Sequence, residues 1–332
     1  TARNALLNGF YWATVKGYRG SYLTAYNNGD YGVYAFDAVD GVLDHSYASG
    51  SPDAGFYIGQ CYPCDAIVNN VISENNGLGY SGTNSGGSLY IISSVFKNNK
   101  GGLAPNTLDS ELLPPERETF IIGNLIENNN NIDAPATQST NLSLGNGVVI
   151  AGGNNNVIKN NVIANHNLYG VIITATADVN YWPAHGNRVE SNLIINSKRA
   201  DIASSGLSNL GNCFENNYFN TSIPPGLQTL NNCDSSFYPL SADLSGMWSS
   251  LARVIQTSDG NYSQGDWRTF EAPANQPNMP IMDELMSLGY DKTSLPVTKI
   301  WSSVKPAVEV FSQYEDVLEV IELPEEARNY LN

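Results

Sequence analysis

The sequence predicts an all-β solenoid, a parallel β-helix with a partly helical C-terminal extension, and three observations carry that reading. A unit with Asn at its corners returns through the first 220 residues: Asn69-Asn70-Val71-Ile72 leads to Gly79-Tyr80, and Asn160-Asn161-Val162-Ile163 leads to Gly170-Val171-Ile172-Ile173. Glycines opening short apolar runs stand at Gly32, Gly55, Gly79, Gly102, Gly147 and Gly170, spaced 23, 24, 23, 45 and 23 residues apart. Self-similarity at such a period marks stacked repeats, none of which buries its apolar face alone. An αβ alternative needs helical stretches of about 10–15 residues between strands, and residues 20–100 offer none.

The chain opens inside a coil, at Leu6-Leu7-Asn8-Gly9-Phe10-Tyr11-Trp12, as expected of a mature or truncated product of a longer exported precursor. Each coil then lays short strands on those of the next coil, about 4.8 Å away. A corner register places His45, Asn70, Ser94, Asn124, Asn161, Asn192 and Asn217 in equivalent positions, with apolar pairs such as Val71/Ile72 and Val162/Ile163 between them. A corner Asn tolerates left-handed dihedrals, and its amide bonds backbone groups or the next Asn as a ladder. Gly is expected where corners need positive φ. Coil length departs from the repeat at 103–119, 130–146 and 174–188, and the 45-residue spacing is either two coils or one coil with an insert. Such insertions gather on a functional face.

The ladder stops near residue 236, dividing a β-helix over 1–236 from an acidic extension over 237–332. Segments 243–256, 280–288 and 309–320 read as short helices, and Trp248, Trp267 and Trp301 are spread between them. Arg253, Arg268, Lys292, Lys299, Lys305 and Arg328 oppose 14 acids over 237–332, a net of −8. The extension is expected to cap or flank the solenoid, with partner docking and assembly as the alternative.

The net charge of −16 excludes the basic footprint that nucleic-acid binding requires. It also disfavours acidic polysaccharides unless Ca²⁺ or a local cation intervenes. No apolar run is long enough for a membrane-spanning helix. Cys61–Cys64 and Cys213–Cys233 are expected as local disulfides, with a redox or metal role for the first pair as the alternative. Sequons at Asn141, Asn220 and Asn261 matter only in a glycosylating host.

The densest ionisable stretch holds Tyr31, Asp37, Asp40, Asp44, His45, Asp53 and Tyr57. Asp30 and Asp53 each precede a column glycine by two residues, which stacks them on adjacent coils. Stacked carboxylates suit Ca²⁺ or a divided acid and base role, against a bland reading as turn residues capping backbone N–H groups. Asp44 and His45 form a candidate catalytic pair, although strand alternation would point them to opposite faces and His45 reads equally as a ladder Asn replacement. Arg117 is a rare cation beside Glu111, Glu116 and Glu118, placed to hold a carboxylate or pair with its neighbours. Tyr57, Tyr80 and Tyr90 are expected along one flank as sugar platforms or core fillers. Trp182 and His185 share a loop and are candidate ligand contacts.

The coils, with the stretch Gly29-Asp30-Tyr31-Gly32-Val33-Tyr34 through Gly50-Ser51-Pro52-Asp53-Ala54-Gly55 to Cys61-Tyr62-Pro63-Cys64, resemble secreted bacterial right-handed parallel β-helix repeat proteins. That broad group includes pectate-lyase-like, NosD-like and mannuronan-epimerase-like chains, and the likeness spans residues 4–235. It implies a right-handed helix, an exported subgroup, and coils earlier than this chain's first. The epimerases' Asp-Pro-His-Asp motif is missing here, and the Ca²⁺-dependent lyases' basic residue has no stacked counterpart beside Asp30 and Asp53. The expected function is therefore a secreted or cell-surface protein binding a polysaccharide or a cell-surface protein along its coils. The alternative is a polysaccharide lyase or glycoside hydrolase acting in a groove near residues 30–57 and 103–118.

Overall fold

The computed structural model describes residues 1–206, 210–234, 252, 254–260 and 262–279. The chain winds as a right-handed parallel β-helix of three sheets visited in turn by every coil. The first sheet has eight strands, from Ala2–Arg3 to Leu193–Ile195; the second has nine, from Phe10–Ala13 to Ser222–Ile223; the third has eight, from Lys16–Ser21 to Cys213–Glu215. All pairings within these sheets are parallel, each strand bonding to its equivalents one coil before and after. The expected helices at 243–256 and 280–288 are wholly or largely outside the described residues, although 254–258 is helical. The helix at 309–320, and Trp248 and Trp301, are outside them entirely.

In-register stacking turns the repeat into columns. Phe10, Val33, Phe56, Tyr80, Leu103, Val148, Val171 and Ile202 are successive partners on the second sheet. Most belong to one continuous interior core, with Phe10 packed at its edge. Leu103 pairs directly with Val148, so the 45-residue spacing is one coil lengthened by inserts.

The column glycines act differently from the expectation. A Cβ on Gly32 would lie 2.6 Å from the Gly55 carbonyl oxygen, and one on Gly102 would lie 2.1 Å from that of Gly147. These glycines are required by the close approach of the next coil, not by positive φ. Left-handed corners are filled mostly by other residues: Tyr22, His45, Asn70, Ser93, Gly123, Asn160, Ser191 and Asn216 form one such column. His45 and Asn70 belong to it and not to the ladder, which lies one residue later. There Ser94 N–H donates to Asn124 Oδ1, and the chain continues through Asn161, Asn192 and Asn217 to Gln228. Two further ladders line the other corners, Asn76–Asn99–Asn129 and Asn156–Asn187–Asn212. The first ends on His166, whose ring is buried and whose pKa burial lowers to about 3, so it serves as a neutral amide substitute.

The helix Leu227–Leu230 closes the C-terminal end of the stack, with Leu227 in the core. Both expected disulfides are present: Cys61–Cys64 in the turn between the second and third sheets, and Cys213–Cys233 beside the closing helix. The 130–146 insert contains a helical turn, Gln138–Asn141, capped by Thr137. Beside it the stretch 262–279 is fastened to the coils. Buried Lys100 donates to the carbonyls of Ile132 and Ser263, and Asn27 Nδ2 donates to that of Phe270. Burial lowers the Lys100 pKa to about 8.

Candidate functional site

The outer face of the second sheet carries a tyrosine stack across three coils. Outward positions alternate with the core column, so Tyr11, Tyr34 and Tyr57 are in-register neighbours. The Tyr11 and Tyr34 rings stack at 5.4 Å, and Tyr34 and Tyr57 at 4.6 Å with planes 13° apart. Tyr31 wedges against both Tyr34 and Tyr57 at 4.7 and 4.9 Å. Tyr11 is 58% exposed while Tyr57 is only 1% exposed, so the platform opens at the N-terminal coils and closes beneath the 107–116 insert.

Three carboxyl groups border this stack. Asp53 N–H donates to the Asp30 carbonyl oxygen, confirming their placement on adjacent coils. Burial, the Asp30 charge and Glu111 push Asp53 up to about 7, against a hydrogen bond from Tyr31. Burial likewise raises Asp30. Glu111 arrives from the insert and accepts the Tyr57 hydroxyl at 2.6 and 2.8 Å on its two oxygens. Burial pushes it up to about 7 although Tyr57 opposes the shift. The charged influences on Asp53 are all acidic. These groups can bind polar hydroxyls, hold a proton near neutrality, or receive a cation.

The insert that delivers Glu111 is clasped at several points. Asn84 donates to the carbonyls of Leu108 and Glu111 and accepts from Leu108 N–H, while Gln60 accepts from Leu112 N–H. Asp109 then joins it to the hairpin of Thr176–Ala177 and Tyr181–Trp182 by accepting from Asn180 N–H, Asn180 Nδ2 and Trp182 Nε1. Two of the three expected insertions therefore meet on one corner.

Several sequence candidates lie elsewhere. Tyr80 is the partner of Phe56 and points into the core, fully buried, so it is not a ligand contact. Tyr90 stacks on Phe120 on the third sheet, away from the tyrosine platform. Arg117 holds no site carboxylate. Its guanidinium lies 3.5 Å over the Tyr62 ring and donates to the carbonyls of Leu113 and Pro115. Glu118 accepts the Tyr62 hydroxyl. Glu116 is fully buried, bonded by Thr119 and Asn156, and raised to about 8 by burial. Trp182 is committed to Asp109, and His185 accepts Leu210 N–H on Nδ1 while its own N–H donates to Asn154, so it ties coils together.

Asp44 and His45 sit at the corner between the third and first sheets, apart from the tyrosine platform. They are not on opposite faces: His45 has φ of 46°, and the left-handed turn brings its Nδ1 to 3.3 Å from Asp44 Oδ2. Among the described residues, one group of three His, Cys, Asp or Glu ligand atoms lies within 4.8 Å: Glu190, Glu215 and Cys233. Its two carboxylates suit a divalent ion, but Cys233 is in a disulfide and Glu190 is paired with Lys159 and Arg188. Tyr11 and Tyr34 were not singled out by the sequence reading. Their signal was available, since each stands two residues after a column glycine, as Tyr57 does.

No family model matches the chain, and no curated protein matches it. Among solved structures, the chain is similar to the A-module of Azotobacter vinelandii mannuronan C-5 epimerase AlgE4, at 16% identity and a TM-score of 0.40, covering 63% of this chain and 57% of that one. It is also similar to the AlgE6 A-module from the same organism, at 17% identity and a TM-score of 0.40, covering 60% of this chain and 54% of that one. The chain thus covers less than two thirds of either. The fold assignment rests on the strand pairing.

Proposed function

We propose that this β-helix is an exported surface or scaffold protein that binds a neutral polysaccharide along the outer face of its second sheet. The observation that carries the reading is the Tyr11–Tyr34–Tyr57 stack, open at Tyr11 and bordered by Asp30, Asp53 and Glu111. Aromatic faces cover the apolar faces of sugar rings, and the adjoining carboxyls accept hydroxyl hydrogens. A uronate chain would meet like charge there unless Ca²⁺ sat beside Asp30 and Asp53. The test is calorimetric titration with neutral and acidic oligosaccharides, with and without Ca²⁺, against Tyr34→Ala. Binding of neutral chains that Tyr34→Ala abolishes supports the proposal; binding that survives Tyr34→Ala removes it.

One observation favours a second reading, glycoside hydrolysis. Asp53, pushed up to about 7, retains its proton near neutrality beside a second carboxyl one coil away. The stacking step of about 4.8 Å approaches the separation of about 5–5.5 Å used by retaining hydrolases. Asp53 would be the acid and Asp30 the nucleophile. New reducing ends that vanish in Asp53→Asn support hydrolysis; stable complexes without product leave the protein a binder.

A further inference from the structure

The 107–116 insert closes the tyrosine platform at Tyr57, and it is built as a segment that can lift. Its two ends are pinned to each other and to the coils. Glu116 N–H donates to Thr107 Oγ1 at 3.0 Å, that hydroxyl donates to the Gly152 carbonyl at 2.7 Å, and both residues are fully buried. Residues 108–115 therefore form a loop with closed ends, able to move without disturbing the strands on either side. None of them is buried, and Leu112 and Leu113 are 69% and 45% exposed, so hydrogen bonds and not apolar packing hold the loop down. Segments with few buried apolar contacts open at the least cost.

Glu111 is the side chain this loop lays over the platform. Both its oxygens accept the Tyr57 hydroxyl, at 2.6 and 2.8 Å, where a sugar hydroxyl would otherwise meet it. We propose that residues 108–115 are an autoinhibitory cover: Glu111 occupies a subsite at Tyr57 in place of ligand, and its ionisation releases the loop so that a neutral glycan can extend from Tyr11 and Tyr34 onto Tyr57. The ligand rests on the sugar-binding reading; the movement of the loop does not.

The groups around Glu111 set the direction of the switch. From the second sheet it faces the Tyr57 and Tyr34 hydroxyls, and from the turn leading into that sheet it faces Asp53, which lies beside Asp30 and Tyr31. On the insert, Asp109 is turned to the 176–182 hairpin, where its N–H donates to Asp178, and Arg117 is turned to the Tyr62 ring. Burial raises Glu111 from 4.5 to about 7 in the closed loop, and exposure on release returns it to the ordinary range. The closed loop thus binds the proton more tightly. Its advantage is full below about pH 4.5 and is lost as pH rises through about 7. Asp53, also pushed up to about 7, adds a repelling charge over the same window.

The experiment reads amide deuterium exchange of the unliganded full chain at about pH 5.5 and about pH 7.5, as protection relative to an unfolded peptide of the loop sequence. Calorimetric titration with a neutral oligosaccharide is the second arm. Protection of the Leu108 and Leu112 amides, which donate to Asn84 and Gln60, should fall on the order of tenfold between the two conditions, and glycan affinity should rise. Glu111→Gln keeps an acceptor for the Tyr57 hydroxyl and cannot ionise, so its loop should stay protected at both. Glu111→Ala removes the latch, so its loop should be unprotected at both and glycan should bind at the lower pH as well as it binds the parent at the higher. Protection that does not fall in the parent, a pH response surviving in Glu111→Gln, a parent-like loop in Glu111→Ala, or a glycan affinity indifferent to an opening loop would each overturn the proposal. A loop that responds as expected, with no glycan bound by the parent or by Glu111→Ala, supports the cover and removes the sugar-binding reading instead.

Discussion

Truncating one amide of the Asn ladder should be among the most damaging single changes in the solenoid. Asn161 is fully buried. Its Oδ1 accepts both the backbone N–H and the Nδ2 of Asn124, at 2.9 and 3.0 Å. Its Nδ2 donates to the Ile121 carbonyl and to Asn192 Oδ1, each at 2.9 Å. Asn161→Ala leaves the Asn124 N–H buried without an acceptor, at about 1–3 kcal/mol, and removes three further bonds worth about 1 kcal/mol each, so the loss is about 4–6 kcal/mol. Asn161→Ser should lose roughly half as much, because a ladder serine can still accept the preceding coil's N–H, as Ser94 accepts that of Val71 at 3.1 Å. Urea unfolding gives the free energies, and hydrogen exchange at the Asn124 amide reads the broken rung directly. A cost below about 1 kcal/mol for Ala, or a Ser variant no better than Ala, would refute the ladder's role.

The pH dependence of stability has a definite direction. Asp53, Glu111 and Glu116 have folded pKa values of about 7, 7 and 8 against ordinary values of 3.8, 4.5 and 4.5, so the native state binds more protons. Their contribution is complete below pH 3.8 and is lost as pH rises to about 8. Lys100, lowered from 10.5 to about 8, works oppositely and restores stability from pH 8 to 10.5. Calorimetric Tm should therefore fall from pH 4.5 to 8, less steeply in Glu116→Gln; a rising Tm over that window contradicts the burial argument. Tyr57→Phe removes the hydroxyl that opposes the rise of the Glu111 pKa, so the carboxyl NMR titration of Glu111 should move above about 7, and a downward move would be inconsistent. Asp109→Ala should free the hairpin at 176–182, seen as faster hydrogen exchange there and a red-shifted Trp182 emission with the coils still protected; unchanged exchange would disprove the clasp.

Much of the fold was legible because β-helix stacking writes its period directly into sequence. The glycine column and the Asn corners came through, although the glycines serve close approach and the left-handed turns belong mainly to other residues. The one-residue offset of His45 and Asn70 was hidden because Asn suits both the turn and the rung, so Asn-Asn pairs cannot be aligned by type alone. Tyr80 was misplaced for a readable reason: it follows its column glycine by one residue, an inward position, whereas Tyr11, Tyr34 and Tyr57 follow by two. Glu111 was recognised as an insert acid, but its partner Tyr57 is 54 residues away, and no local pattern encodes where a long insert folds back. Lys100 gave no sequence signal, since its acceptors are backbone carbonyls from the 130–146 insert and the C-terminal segment.

The central claim is that sugar binds on the tyrosine stack of the second sheet. Ring-labelled tyrosine NMR during titration with a neutral oligosaccharide tests it most directly. The account predicts shifts at Tyr11, Tyr34 and Tyr31, with Tyr90 on the third sheet unmoved. Shifts confined to Tyr90, or none with any glycan that the protein binds, would contradict it.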